Sequence, residues 1–103
     1  MKFLTITMFD VAKTAAIATA SDKVMASQPP GYKLLAQYVC LAPPFPGVPP
    51  NTLVGVNISE VDSAEAMSTV TYPILLAGAT IYRAPILELP TAATTEVEKK
   101  YRG

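Results

Sequence analysis

Residues 2–31, KFLTITMFDVAKTAAIATASDKVMASQPPG, decide the fold of this chain. Residues 2–9 alternate, with Leu4, Ile6 and Met8 on one side and threonines and phenylalanines on the other. Period-two alternation with β-branched residues is typical of a strand that buries one face. The stretch therefore begins with a predicted strand.

The same stretch continues as a predicted helix. Asp10 can accept hydrogen bonds from the first free amides of a helix, which makes it a predicted N-cap. Residues 11–27 are rich in alanine and place their apolar side chains at helical spacing. Pro29-Pro30-Gly31 ends the helix, because proline does not continue it and glycine suits the turn that follows.

The rest of the chain repeats this strand and helix pattern. The predicted elements are strands over 32–41, 51–60 and 79–89 and a helix over 62–77. Asp62 and Glu65 stand at the two positions of a capping box, and Gly78 suits the turn after the helix. Pro73 is expected to kink or interrupt this second helix.

Residues 42–50 form a predicted proline-rich loop, with five prolines in nine positions. Proline cannot donate to a strand ladder, so this segment is expected to be a stiff, extended connection. Two roles are compatible with this loop. It is either a lid over the mouth of a ligand cleft or an arm that grips a partner subunit.

The order strand, helix, strand, strand, helix, strand is typical of a ferredoxin-like βαββαβ sandwich of the α+β class. Residues 1–90 form this domain in our interpretation, and residues 91–103 form a polar C-terminal tail. Right-handed crossovers return each strand to a parallel neighbour and place both helices on one face of a four-stranded antiparallel sheet. The other face then lacks cover in a single copy of the chain.

The composition indicates a self-associating protein. Half of the 103 residues are hydrophobic and 16% are charged, whereas about 25% is usual in soluble domains. A small domain with so little charge is expected to bury part of its surface in a homodimer, the commonest closed assembly. A higher oligomer is the alternative to a dimer.

Charge and residue types argue against several classes of function. The net charge is zero, which disfavours nucleic-acid binding. One cysteine and no histidine cannot form a zinc site. No apolar run reaches the roughly 18 residues of a membrane span. Asp10 and Lys13 interrupt the N-terminal apolar run, so we expect a soluble, cytoplasmic protein and no secretory signal.

Two segments resemble the strand-to-helix and helix-to-strand passages of the dimeric α+β barrel superfamily, in particular its small uncharacterised members. They are EVDSAEAM at 60–67 and YPILLAG at 72–78, and the resemblance spans about residues 1–90. That superfamily includes antibiotic-type monooxygenases, muconolactone isomerase-like enzymes, haem peroxidases and ligand-sensing domains, so the resemblance implies a fold and not one function. This chain lacks the histidine that some members use.

Polar residues on alternate strand positions predict a small-molecule cleft on the open face of the sheet. By strand parity this face carries Thr5, Thr7, Phe9, Gln37, Asn57, Ser59 and Arg83. Arg83 could clamp a carboxylate or enolate. The alternatives are that it pairs with Glu60 or Glu88 or lies exposed, and that the polar residues only pack a dimer core.

Tyrosine hydroxyls are further candidates, although most tyrosines are packing residues. Tyr72 precedes the predicted kink, which could turn it into the cleft. The candidate ligand-binding residues are therefore Arg83, Asn57, Tyr38, Tyr72, Thr7 and Gln37.

The favoured hypothesis is a homodimer that binds an apolar or mildly acidic small molecule without a metal or organic cofactor. Whether the protein is an enzyme stays open, because no base poised near neutral pH is evident. Two alternatives remain. One is a cofactor-independent monooxygenase or isomerase, and the other is a structural or assembly subunit with no ligand.

Overall fold

The computed structural model describes residues 1–90 and 92–103; residue 91, the first of the predicted tail, lies outside the described residues. The described part contains four strands, three α-helices and a short 3₁₀ turn. They are β1 (Lys2–Asp10), the turn Val11–Lys13, α1 (Thr14–Ala26), β2 (Tyr32–Val39), β3 (Thr52–Val61), α2 (Ala64–Leu76), β4 (Thr80–Pro85) and α3 (Thr94–Arg102).

The four strands form one antiparallel sheet in the order β2-β3-β1-β4. This order, with α1 after β1 and α2 after β3, is the ferredoxin-like βαββαβ fold, which confirms the predicted fold class. The strands joined by a helix are parallel but are not neighbours, contrary to the expectation. A third strand lies between them, because a helix about 10 Å wide covers two strand spacings of about 4.8 Å.

Local chemistry sets the ends of the two sheet-packing helices. Asp10 caps the first helical turn as predicted, with its Oδ1 accepting from the Ala12 amide over 2.8 Å. The cap of α2 lies one residue later than the predicted Asp62: the Ser63 Oγ accepts from the Ala66 amide over 3.1 Å. Gly78 follows α2 with a φ of 108°, as expected for the residue after a helix.

Pro73 disturbs helix α2 less than expected, whereas Pro85 shortens strand β4 more than expected. Helix α2 runs through Pro73 without interruption, because Pro73 lies in the last turn and its carbonyl still accepts from the Ala77 amide. In contrast, β4 ends at Pro85 and not at Leu89. Residues 40–51, which include the proline-rich loop, form no helix or strand. Asn51, at the end of this segment, accepts from the Val11 amide over 2.7 Å.

Part of the predicted polar C-terminal tail forms a third helix, α3 (Thr94–Arg102). Helix α3 carries acidic Glu96 in its first turn and basic side chains in its last, as the helix dipole favours. None of its residues is buried.

Candidate functional site

A row of polar residues crosses all four strands of the sheet. Thr5 on β1 lies opposite Asn57 on β3 and opposite Arg83 on β4. Asn57 in turn lies opposite Gln37 on the edge strand β2. Directly opposite residues share a face of the sheet. We call Gln37, Asn57, Thr5 and Arg83, in spatial order, the polar row.

The polar row borders a cavity of about 530 Å³ between the sheet and the helices. Helix α1 contributes its buried residues Ile17 and Val24 and the polar Ser21, and α2 contributes Val70. Thr5, at the centre of the row, is only 2% exposed. The polar half of the sheet therefore faces the helices and not the open side.

This arrangement corrects the predicted position of the cleft. The alternation suggested that the apolar halves of the strands pack against the helices, which would leave the polar halves on the open face. The apolar Leu4, Ile6 and Met8 instead have the parity of the open face. Helix α1 buries only Ile17 and Val24, and its small side chains leave the space above the polar row unfilled.

Arg83 is held in place by a neutral partner. Its Nε donates to the Thr5 Oγ1 over 3.0 Å. The two predicted acidic partners are engaged elsewhere, Glu60 with the N-terminal amine at 3.6 Å and Glu88 with Lys2 at 3.1 Å. Among the described residues, no carboxylate forms a salt bridge with Arg83.

Burial perturbs two titratable groups in the cavity. Loss of solvent lowers the pKa of Arg83, and the neighbouring Tyr32 opposes this shift. Loss of solvent raises the pKa of Tyr32, while the charge of Arg83 and the Ser59 hydroxyl act in the opposite direction. The cavity therefore penalises charge, and an anion that entered it would relieve the penalty on Arg83.

Asn57 carries an unused hydrogen-bonding atom. Its Oδ1 is buried and has no hydrogen-bond partner among the described residues. Buried polar atoms are rarely left in this state, since each one costs free energy relative to hydration. Asn57 also borders the cavity.

Four of the six candidate ligand-binding residues meet at this cavity: Arg83, Asn57, Thr7 and Gln37. Tyr38 borders it too, but its register with Val56 puts its side chain on the open face, where it is 64% exposed. Tyr72 is 63% exposed on α2 and does not border the cavity.

The sequence interpretation missed the contribution of α1. Thr14, Ala18, Ser21 and Met25 all border the cavity. Their spacing of three to four residues marks one face of a helix, which was the available signal. Gly55, opposite Thr7 on β3, also borders the cavity and adds no side chain to it.

Two further features are absent from the described residues. None of their helices has the length and apolar character to cross a membrane. They also contain no cluster of three or more acidic, cysteine or histidine side chains suited to a metal ion.

Comparison with known proteins gives similarities of structure only. No family model matches the chain, and no curated protein sequence matches it. A DUF3240 family protein from Shewanella baltica OS155 is similar with a TM-score of 0.49 and 10% identity, over 89% of this chain and 97% of that one. A candidate antibiotic biosynthesis monooxygenase from Caulobacter crescentus CB15 is similar with a TM-score of 0.48 and 15% identity, over 84% and 91%.

A candidate glycine cleavage system transcriptional repressor is similar with a TM-score of 0.44 and 9% identity, and the match covers 97% of this chain but 63% of that protein. Identities of 15% or less and TM-scores below 0.5 do not show a shared activity. The fold assignment rests on the strand order.

Proposed function

We propose that this protein binds an apolar small molecule with an anionic group in the cavity between α1 and the sheet. The observation that supports this is Arg83, a partly buried cation with no carboxylate partner among the described residues. Proteins rarely bury charge without a partner, because desolvation of an unpaired ion is costly. A carboxylate or enolate of the ligand would be that partner.

The cavity has the size and lining of a ligand site. Its volume of about 530 Å³ lies within the range of roughly 300–1,000 Å³ that is usual for small-molecule pockets. Ile17, Val24, Val70 and Ile74 provide apolar walls from the helices, opposite the polar row on the sheet. Such a site holds the body of the molecule by apolar burial and orients it through Arg83.

Calorimetric titration with 1-naphthoate and 1-naphthamide tests this proposal, since the two probes share a shape and differ in charge. We expect the wild-type protein to bind naphthoate at least tenfold more tightly, as a charge-assisted pair is worth about 1.5–3 kcal/mol. Arg83→Met should remove that preference. Arg102→Met, a change of the exposed arginine in α3, should keep it.

Equal affinity for the two probes, or an unchanged preference in Arg83→Met, would overturn the proposal. Binding of neither probe would favour a structural subunit in which the cavity has no ligand. Native mass spectrometry of the purified protein adds an independent readout, because a copurified molecule appears as extra mass.

We also propose that two copies associate through the open face of the sheet. Its centre consists of Leu4, Ile6 and Met8 with the facing Val56 and Ile58, all uncharged and apolar. Tyr38 and Tyr82, 64% and 57% exposed, flank this centre. An apolar patch of this kind on a small protein marks an association surface, and the same face of a second copy is equally apolar, as a two-fold interface requires.

Sedimentation velocity tests the association. Ile6→Glu places a charge at the centre of the face and should convert the dimer to a monomer, because the buried carboxylate would have no partner. Tyr72→Glu, on the exposed side of α2, is the matched control and should remain dimeric. A monomeric wild-type protein would refute the proposed interface.

A further inference from the structure

The polar row contains two groups that a ligand could pair with, a cation and a hydrogen-bond acceptor. Among the described residues, Arg83 forms no salt bridge with a carboxylate, and the buried Asn57 Oδ1 accepts no hydrogen bond. Both border the same cavity. A ligand with only an anionic group would satisfy the first and leave the second unpaired.

The register determines how far apart these two groups lie. Asn57 and Arg83 flank Thr5 on the two neighbouring strands. Because the Arg83 Nε bonds to the Thr5 Oγ1 over 3.0 Å, the guanidinium lies over the central strand. It is then separated from Asn57 by about one strand spacing, roughly 5 Å.

An amide oxygen can only accept, so the matching ligand group must be an O–H or an N–H. A site that holds a buried acceptor discriminates strongly against analogues without the donor, since they bury that acceptor unpaired. The groups of the polar row therefore select ligands by their pattern of hydrogen bonds.

We propose that the ligand is a hydroxy-substituted carboxylate, with its hydroxyl donating to the Asn57 Oδ1 while its carboxylate pairs with Arg83. A phenolic acid with the hydroxyl meta to the carboxylate places the two groups about one strand spacing apart. This inference rests on the proposed anion-binding function and specifies the class of molecule.

Three probes test it on the wild-type protein: 1-naphthoate, 3-hydroxy-1-naphthoate and 3-methoxy-1-naphthoate. We expect the hydroxy compound to bind about tenfold more tightly than naphthoate, the effect of one additional buried hydrogen bond. The methoxy compound can accept but not donate, so it should bind no better than naphthoate.

The variant Asn57→Leu removes the acceptor and keeps a similar volume. It should bind the hydroxy compound and naphthoate with equal affinity. Gln28→Leu is the matched control, because Gln28 is an exposed amide that does not border the cavity. It should retain the tenfold preference.

The outcomes separate this inference from the proposal on which it rests. If naphthoate binds through Arg83 but the hydroxy and methoxy compounds bind equally well, the hydroxyl contact is refuted and the anion site stands. If no probe binds, both are overturned. The comparison of probes on the wild-type protein decides the question even if Asn57→Leu fails to fold.

Discussion

Thr5 and Arg83 lie opposite each other on the paired strands β1 and β4, and the Arg83 Nε donates to the Thr5 Oγ1 over 3.0 Å. Thr5 is 2% exposed, so this hydrogen bond is shielded from water. It uses one of the five donors of the guanidinium and holds the Nε of Arg83 beside β1. The pair therefore presents a cation to the cavity.

Thr5→Val should lower the free energy of unfolding by about 1–2 kcal/mol, because it leaves the Nε of Arg83 without an acceptor. Urea unfolding followed by circular dichroism measures the change. Thr80→Val, a change of an exposed threonine on β4, is the matched control. A loss no larger than that of the control would show that the hydrogen bond contributes nothing to stability.

Arg83→Met should change the free energy of unfolding of the ligand-free protein by less than about 1 kcal/mol, since the removal of a partly buried cation offsets the loss of its hydrogen bond to Thr5. Thermal unfolding without ligand measures this, with Arg102→Met as the control. In the Arg83→Met background, Thr5→Val should become nearly neutral. A large loss of stability in Arg83→Met would instead identify Arg83 as a structural residue.

The raised pKa of Tyr32 predicts a loss of stability in alkaline solution. An unfolded tyrosine titrates near pH 10, whereas burial keeps Tyr32 protonated above that pH in the folded state. The folded state therefore holds more protons, and stability falls as the pH rises from about 10 through the pKa of folded Tyr32. Below pH 10 this contribution is fully present.

Urea unfolding of wild type and Tyr32→Phe at about pH 8 and about pH 11 measures this contribution. The variant should lose less stability between the two values than the wild-type protein does. Tyr38→Phe, a change of an exposed tyrosine, serves as the control. The same pH dependence in wild type and Tyr32→Phe would contradict the prediction.

Gly55→Val should fill the cavity without removing a polar group. A Cβ at Gly55 would meet only the Tyr38 carbonyl oxygen, at 3.6 Å, so the backbone there has room for a Cβ. We expect the variant to gain about 0.5–1 kcal/mol of stability, because glycine in a strand carries an entropic cost, and to bind 1-naphthoate at least tenfold less tightly. Gly55→Ala should have a smaller effect on binding. Unchanged affinity in Gly55→Val would place the ligand elsewhere.

Much of the fold follows from local chemistry and could be predicted. Alternation identified β1, and Asp10 caps the following turn as expected from its side chain. The cap of α2 was misplaced by one residue because Asp62 and Ser63 are both good caps, and only the backbone path shows which one meets the Ala66 amide. Tyr72 was placed near the site on the expectation of a kink, but α2 continues through Pro73.

The sequence by itself determined which residues share a face, because side chains alternate along every strand. It thus grouped Gln37, Asn57, Thr5 and Arg83. Tertiary structure alone decided that α1 covers this polar face and that strand register aligns the four residues in one row. The physical reason is that alternation divides the residues of a strand between two faces but does not show which face is enclosed. Only the packing of the helices and the pairing of distant strands determine that.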